Sequence, residues 1–199
     1  MKRRDLLLTG MTLAATAAIR PAVSAEGDGT PMQFAPKTPK DPTPLDNELD
    51  KYPRCPFCGM SRKEFHFSRH LVHYSDDLVD GTCSLHCTAI SLALNLDRVP
   101  KAIYAPDNGA SGEIKPLTDA EKATYVIGGG HRPVMTRTAK TSFATAAVAE
   151  AAKGTGELAD FDKALTLAYL GMADDTKMIR KNREEKRRAA QGAIRQRTD

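Results

Sequence analysis

The 199-residue sequence lacks the motifs that identify several common enzyme classes. It contains no G-x-S-x-G, no H-E-x-x-H and no dinucleotide fingerprint. The glycine run at residues 128–130 is not followed by the G-K-[ST] of a phosphate-binding loop. The sequence therefore gives no basis for a hydrolase of the nucleophile-elbow type, a zinc protease or a nucleotide-dependent enzyme, and we expect no catalytic activity.

Long apolar runs are also absent. Residues 6–19 form an apolar stretch that is too short to cross a bilayer of roughly 30 Å as a helix. It follows Arg3-Arg4 and precedes the small residues 22–25, which is typical of an export signal of twin-arginine type. We expect residues 1–25 to be a signal peptide and the mature protein to be soluble in the periplasm; a short membrane anchor is the alternative.

Positive charge is concentrated at the two ends of the chain. The net charge of +4 is the balance of +3 in residues 1–25, +6 in residues 177–199 and −5 in between. An acidic body argues against nucleic-acid binding. We interpret residues 173–199 as a basic tail, helical or disordered and solvated, with contact to acidic lipid or an acidic partner as the alternative. Any membrane contact would then be transient or through this tail.

The remaining chain predicts an α+β fold. Residues 26–51 are a proline-rich linker, and prolines between positions 36 and 44 prevent a helix or an inner strand there. Residues 52–172 divide into two ββαβ-type units, at about 52–107 and 112–172. In the first unit we predict strands at 70–74, 78–83 and 101–104, with a helix at 84–96. In the second we predict strands at 123–127, 133–136 and 158–161, a helix from Thr141 or Ser142 to Lys153, and another at 164–172.

All four cysteines lie between residues 55 and 87, in the close pairs Cys55/Cys58 and Cys83/Cys87. Disulfides within such pairs would close very short loops and stabilise little, whereas cross-pair disulfides remain possible. A C-x-x-C turn followed by C-x-x-x-C at the start of a helix has the spacing of a metal site. The sequence therefore predicts one centre with the ligands Cys55, Cys58, Met60, Cys83, His86 and Cys87.

The ligand types restrict the metal. Thiolate and thioether sulfur suit Cu(I), and thiolate with imidazole also suits Zn²⁺. Met60 adds nothing to a zinc site but suits copper. His66, His70 and His73 are more typical of surface or core hydrogen-bonding residues than of ligands. Cu(I) is the expected ion and zinc the alternative.

The sequence resembles the NosL family, the copper-binding accessory proteins of nitrous oxide reductase maturation. The resemblance rests on C-P-F-C-G-M at residues 55–60 and on a later block from Asp119 to Phe161 that includes P-V-M at 133–135. It implies the ββαβ units, in a NosL/MerB-like arrangement, export, and Cu(I) binding for delivery to a copper-enzyme client or metal-transfer partner. It also adds Met135 as a ligand. The chain departs from many members in lacking a lipid-bearing cysteine and in having Cys83 to Cys87.

Two other functions are compatible with the cysteine pattern. A thiol–disulfide oxidoreductase also uses C-x-x-C, but the motif then normally follows a strand and begins a helix. Here Pro53 precedes the pair, and no clear apolar helix follows it. A zinc-stabilised interaction module is the other alternative.

Overall fold

The protein is described from a computed structural model that covers residues 31–198. The predicted signal peptide and the first residues of the linker lie outside the described residues. This part of the chain contains four helices: α1 (Glu48–Lys51), α2 (Leu85–Leu94), α3 (Ala146–Ala152) and α4 (Phe161–Thr198). Its seven strands are β1 (His70–Tyr74), β2 (Val79–Thr82), β3 (Pro100–Pro106), β4 (Leu117–Asp119), β5 (Thr124–Ile127), β6 (Lys140–Phe143) and β7 (Glu157–Ala159).

The strands form two antiparallel sheets. The first has the order β2-β1-β3-β4 and the second the order β6-β5-β7. The α+β class is thus confirmed in the described residues. β4 was not predicted; it lies within residues 112–172 but pairs with β3 of the first sheet. The division into units at 52–107 and 112–172 stays a prediction.

One apolar core joins the two sheets. Val72 and Tyr74 of β1 pack in the same cluster as Tyr125 of β5 and Phe161 of α4. All five residues of β1 are buried, because α2 packs against one face of the sheet and Tyr52, which follows α1, packs with Leu71 and Val79 on the other. The His70 imidazole stacks on the Tyr125 ring at a centroid distance of 6.3 Å. The first sheet is therefore an interior element that can carry buried polar groups.

One predicted strand and the predicted start of one helix are wrong. Residues 133–136 form no strand: Pro133 has no N–H to donate to a sheet, and Met135 has a φ of 58°, which no strand accommodates. The strand is β6 instead, which pairs with β5 and occupies the residues assigned to the start of a helix. α3 begins at Ala146, where the Thr145 side chain accepts a hydrogen bond from the Val148 N–H.

The two ends of the described chain are more ordered than the sequence indicated. Residues 36–44 contain no helix or strand, as predicted, but the Asp41 N–H donates to the Asp77 carbonyl at 2.8 Å. α1 lies within the predicted linker. α4 runs without a break through residues 172 and 173, so the tail is helical and continuous with the helix predicted at 164–172. Within the described residues, no helix combines the length and apolar character needed to cross a membrane.

Candidate metal centre

The first cysteine pair is held by a closed turn. The Cys55 N–H donates to the Met60 carbonyl at 3.0 Å, and the Gly59 N–H donates to the Cys55 carbonyl at 2.8 Å. Gly59 has a φ of 76°, a conformation that glycine adopts without steric cost. The turn therefore presents Cys55 and Cys58 inward, with Cys55 buried and Cys58 half-buried.

The second pair lies where β2 leads into α2. Cys83 follows the last residue of β2, and Cys87 is in the first turn of α2. The Thr88 hydroxyl bonds both the Ser84 carbonyl at 3.1 Å and the Thr82 hydroxyl at 2.7 Å, which fixes the junction. The four-residue spacing puts the two sulfurs on one side, 3.7 Å apart. Both cysteines are fully buried.

The two pairs converge. The four Sγ atoms all lie within 4.8 Å of one another, and those of Cys58 and Cys83 are 3.3 Å apart. All four cysteines are free thiols. Four sulfurs at roughly 2.3 Å from a tetrahedrally coordinated ion would be about 3.8 Å apart. The thiols are therefore already spaced to surround one metal ion, and they fit it by donor type and by geometry.

The four thiols differ in acidity. The pKa of Cys55 is well below its usual value because the thiols of Cys58, Cys83 and Cys87 hydrogen-bond to its sulfur. For Cys58 the contact with Cys55 raises the pKa, but hydrogen bonds from Cys83 and Cys87 outweigh it and the pKa is lowered. The pKa values of Cys83 and Cys87 are raised, first by their contacts with the Cys55 sulfur. Negative charge is thus favoured at the turn.

The other predicted ligands lie at different places around the thiols. Met60 and Met135 are partly buried and pack against the cysteine cluster. The ring nitrogens of His86 do not belong to the group of atoms that lie within 4.8 Å of one another. Its Nδ1 is 3.6 Å from Oδ2 of Asp175 on α4, too far for a hydrogen bond. Burial lowers the pKa of His86 more than Asp175 raises it, so a neutral imidazole is favoured.

A buried arginine links the turn to the first sheet, and no local sequence pattern indicated it. Arg62 is fully buried, and its guanidinium donates to the backbone carbonyls of Tyr52, His70 and Thr82. Its charge is balanced by Glu48, whose carboxylate lies 2.7 Å away. Arg69 contacts the same carboxylate at 2.8 Å.

Space for Arg62 depends on Gly81 of β2. A Cβ at this position would lie 2.7 Å from Cβ of Tyr52 and 3.0 Å from Cζ of Arg62. Any side chain there would force both Tyr52 and the guanidinium to shift. Arg62 thus lies against Gly81 and bonds to Tyr52, which precedes the C-x-x-C turn, and to Thr82, the last residue of β2.

The fold and the centre define a small α+β protein with a preformed, sulfur-rich site suited to a thiophilic metal ion. The NosL family model matches residues 46–166, which include all four cysteines. The chain therefore belongs to the NosL family. A search of curated proteins found no match.

Proposed function

We propose that this protein is an exported accessory protein that binds Cu(I) at the four-cysteine centre. Its client would be a copper enzyme such as nitrous oxide reductase, to which it delivers the ion. The observation that carries the proposal is the convergence of four free thiols, all within 4.8 Å, in a chain of the NosL family.

Copper is favoured over other ions by the sulfur atoms around the thiols. Met60 and Met135 pack against the cysteines, and thioethers bind Cu(I) but contribute little to Zn²⁺ or harder ions. Cys58 is the one cysteine of the four that is not fully buried. A partner's thiolate or thioether could therefore reach the ion from the Cys58 side and replace the ligands one at a time.

A zinc-stabilised module is the second candidate, because four thiols at tetrahedral spacing also suit Zn²⁺. Metal analysis of protein purified anaerobically from its native compartment separates the two. Copper in the purified protein, or zinc that Cu(I) readily replaces, supports delivery. Zinc that resists exchange supports a structural role.

An oxidoreductase role has less support. Cys55 and Cys58 lie in a turn. The helix that begins beside a cysteine pair is α2, which follows Cys83 and contains Cys87. Redox enzymes of the C-x-x-C type use a helix N-terminus to lower the pKa of the attacking thiol. We expect no turnover above background in an insulin-reduction assay, and robust turnover would favour the enzyme.

A competition titration with a Cu(I) chelator tests the proposal. Altering residues that only support a metal site typically lowers metal affinity roughly 10- to 100-fold. Since Cys55 and Cys58 would be ligands, we expect the Cys55→Ser/Cys58→Ser variant to lose more affinity than this relative to the wild type. Circular dichroism of both proteins controls for folding. Equal affinity in two folded proteins would refute the proposal.

A further inference from the structure

A cavity of about 690 Å³ lies beside the thiol centre, and three methionines line it. Met60 comes from the turn, Met135 from the loop before β6, and Met178 from α4. Met60 and Met135 also pack against the cysteines. Met178 lies on α4, beyond residues 46–166 that the family model matches, so the match does not include it.

Two contacts fix α4 over the cavity, one on each side of Met178. Before it, Oδ1 of the buried Asp175 accepts a hydrogen bond from the Arg137 N–H at 2.9 Å. After it, the Arg183 guanidinium donates to the Cys58 carbonyl at 3.1 Å. Residues 178, 179, 182, 183 and 186 all line the cavity and lie on one face of the helix. Met178 is therefore held facing the same space as the other two methionines.

The charged side chains that line the cavity are those of Arg54, Arg183, Lys186 and Glu64, so a cation there would be held by its ligands and not attracted by the surrounding charge. Arg54 and Arg183 donate to the carbonyls of Gly59 and Cys58, so both guanidinium groups are engaged by the turn. Lys186 is a third cationic lining residue, and Glu64 opposes it. Neutral thioethers add no proton-dependent charge of their own.

We propose that Met178 joins Met60 and Met135 in a second, thioether site for a soft monovalent cation, adjacent to the thiol centre and partly built by α4. The proposal rests on the proposed Cu(I) function. Three thioethers suit Cu(I), exclude Zn²⁺ by their softness, and bind less tightly than thiolates. The protein would then hold a first Cu(I) at the cysteines and a weaker second one at the methionines.

The test is an anaerobic Cu(I) titration of the full chain carrying ¹³C-labelled methionine methyl groups. We expect the methyl signals of Met60, Met135 and Met178 to shift together at the second equivalent. Met178→Leu keeps the shape of the side chain and removes the sulfur. It should weaken the second equivalent by at least the roughly tenfold loss typical of altering a residue at a metal site.

Met172→Leu is the matched control, since Met172 lies on the same helix but packs against the apolar core. It should leave both equivalents unchanged. A Met178 methyl signal that stays in place, or an equal loss in the Met178→Leu and Met172→Leu variants, would overturn the thioether site. The first equivalent reports separately on the thiol centre: if it binds no more tightly than in the Cys55→Ser/Cys58→Ser variant, the proposed function itself fails.

Discussion

The cysteine pair in the turn and the pair at the β2–α2 junction are held by different means. The turn is closed by its own backbone hydrogen bonds and reaches the sheet through Arg62. Cys83 and Cys87 belong to regular elements and are fully buried. Thiolate is favoured at the turn and thiol at the junction. The junction is therefore enclosed by the fold, whereas the turn is the part of the centre that a metal or partner can approach.

The largest effect expected from this difference is in thiol alkylation of the metal-free protein. Cys58 is half-buried, whereas the other three cysteines are at most 2% exposed. A buried thiol reacts only after local opening, and an opening free energy of about 3 kcal/mol slows its reaction by roughly a hundredfold. We expect mass spectrometry to find a singly modified species at Cys58 first. Equal labelling of Cys83 or Cys87 would show that the junction is not the more protected pair.

Removal of Arg62, which links the turn to the first sheet, should cause the largest loss in the free energy of unfolding. Arg62→Met leaves Glu48 with one fewer cationic partner and removes a hydrogen-bond donor from four buried backbone carbonyls. Disruption of a buried charged network typically costs about 3 to 5 kcal/mol. Urea unfolding of the metal-free protein measures the loss. Arg54→Met is the control, because exposed Arg54 makes one hydrogen bond to the same turn, and its effect should be within about 0.5 kcal/mol.

The buried polar groups of the first sheet predict opposed pH effects. Burial lowers the pKa of His70 from 6.5 to about 4. Between these two pH values the unfolded chain binds a proton that the folded protein does not bind, so the free energy of unfolding falls as the pH drops. Burial raises the pKa of Asp80 from 3.8 to about 6, so stability falls as pH rises through the same range. Each contribution is about 3 kcal/mol, and in the wild type they nearly cancel.

Two variants separate these contributions. Relative to wild type at each pH, Asp80→Asn should gain stability from pH 4 to pH 6, and His70→Gln should lose it. Urea unfolding at several pH values gives both slopes. If the two variants have slopes of the same sign, the opposed titrations of His70 and Asp80 are wrong.

The smallest effect concerns the second sheet, away from the cysteines. Thr145→Ala removes the cap that accepts from the Val148 N–H and should cost about 1 kcal/mol. Thr155→Ala, at an exposed turn position, is the control and should change little. Cu(I) affinity should be the same in both variants. A weaker affinity in Thr145→Ala alone would show that the second sheet supports the centre.

Local patterns predicted the elements that depend on few partners. β1 was predicted with its observed bounds, because five apolar or β-prone residues precede an Asp-Asp turn. The cysteine spacing predicted the convergence of the two pairs. Thr141 and Ser142 resemble a helix cap, but their pairing with β5 decides their conformation. The predicted ligation by Met60, His86 and Met135 stays a prediction.

The side chains that hold the centre in place could not be predicted, because their contacts are with residues distant in the sequence. Nothing near Arg62 in the sequence indicates that a charged side chain is fully buried. Its burial depends on Glu48, 14 positions earlier, and on carbonyls of two strands. Asp175 likewise meets His86 and Arg137 only because α4 folds back over α2.

The missing side chain at Gly81 makes two distant positions depend on each other during evolution. A Cβ there would lie 2.7 Å from Cβ of Tyr52 and 3.0 Å from Cζ of Arg62, so alanine at 81 would displace both residues, and a shorter residue at 62 would relieve only the second contact. Sequences with this four-cysteine pattern should therefore keep Gly at position 81 wherever they keep Arg at position 62. This pair offers a criterion, independent of the cysteines, for recognising relatives that build the centre in the same way.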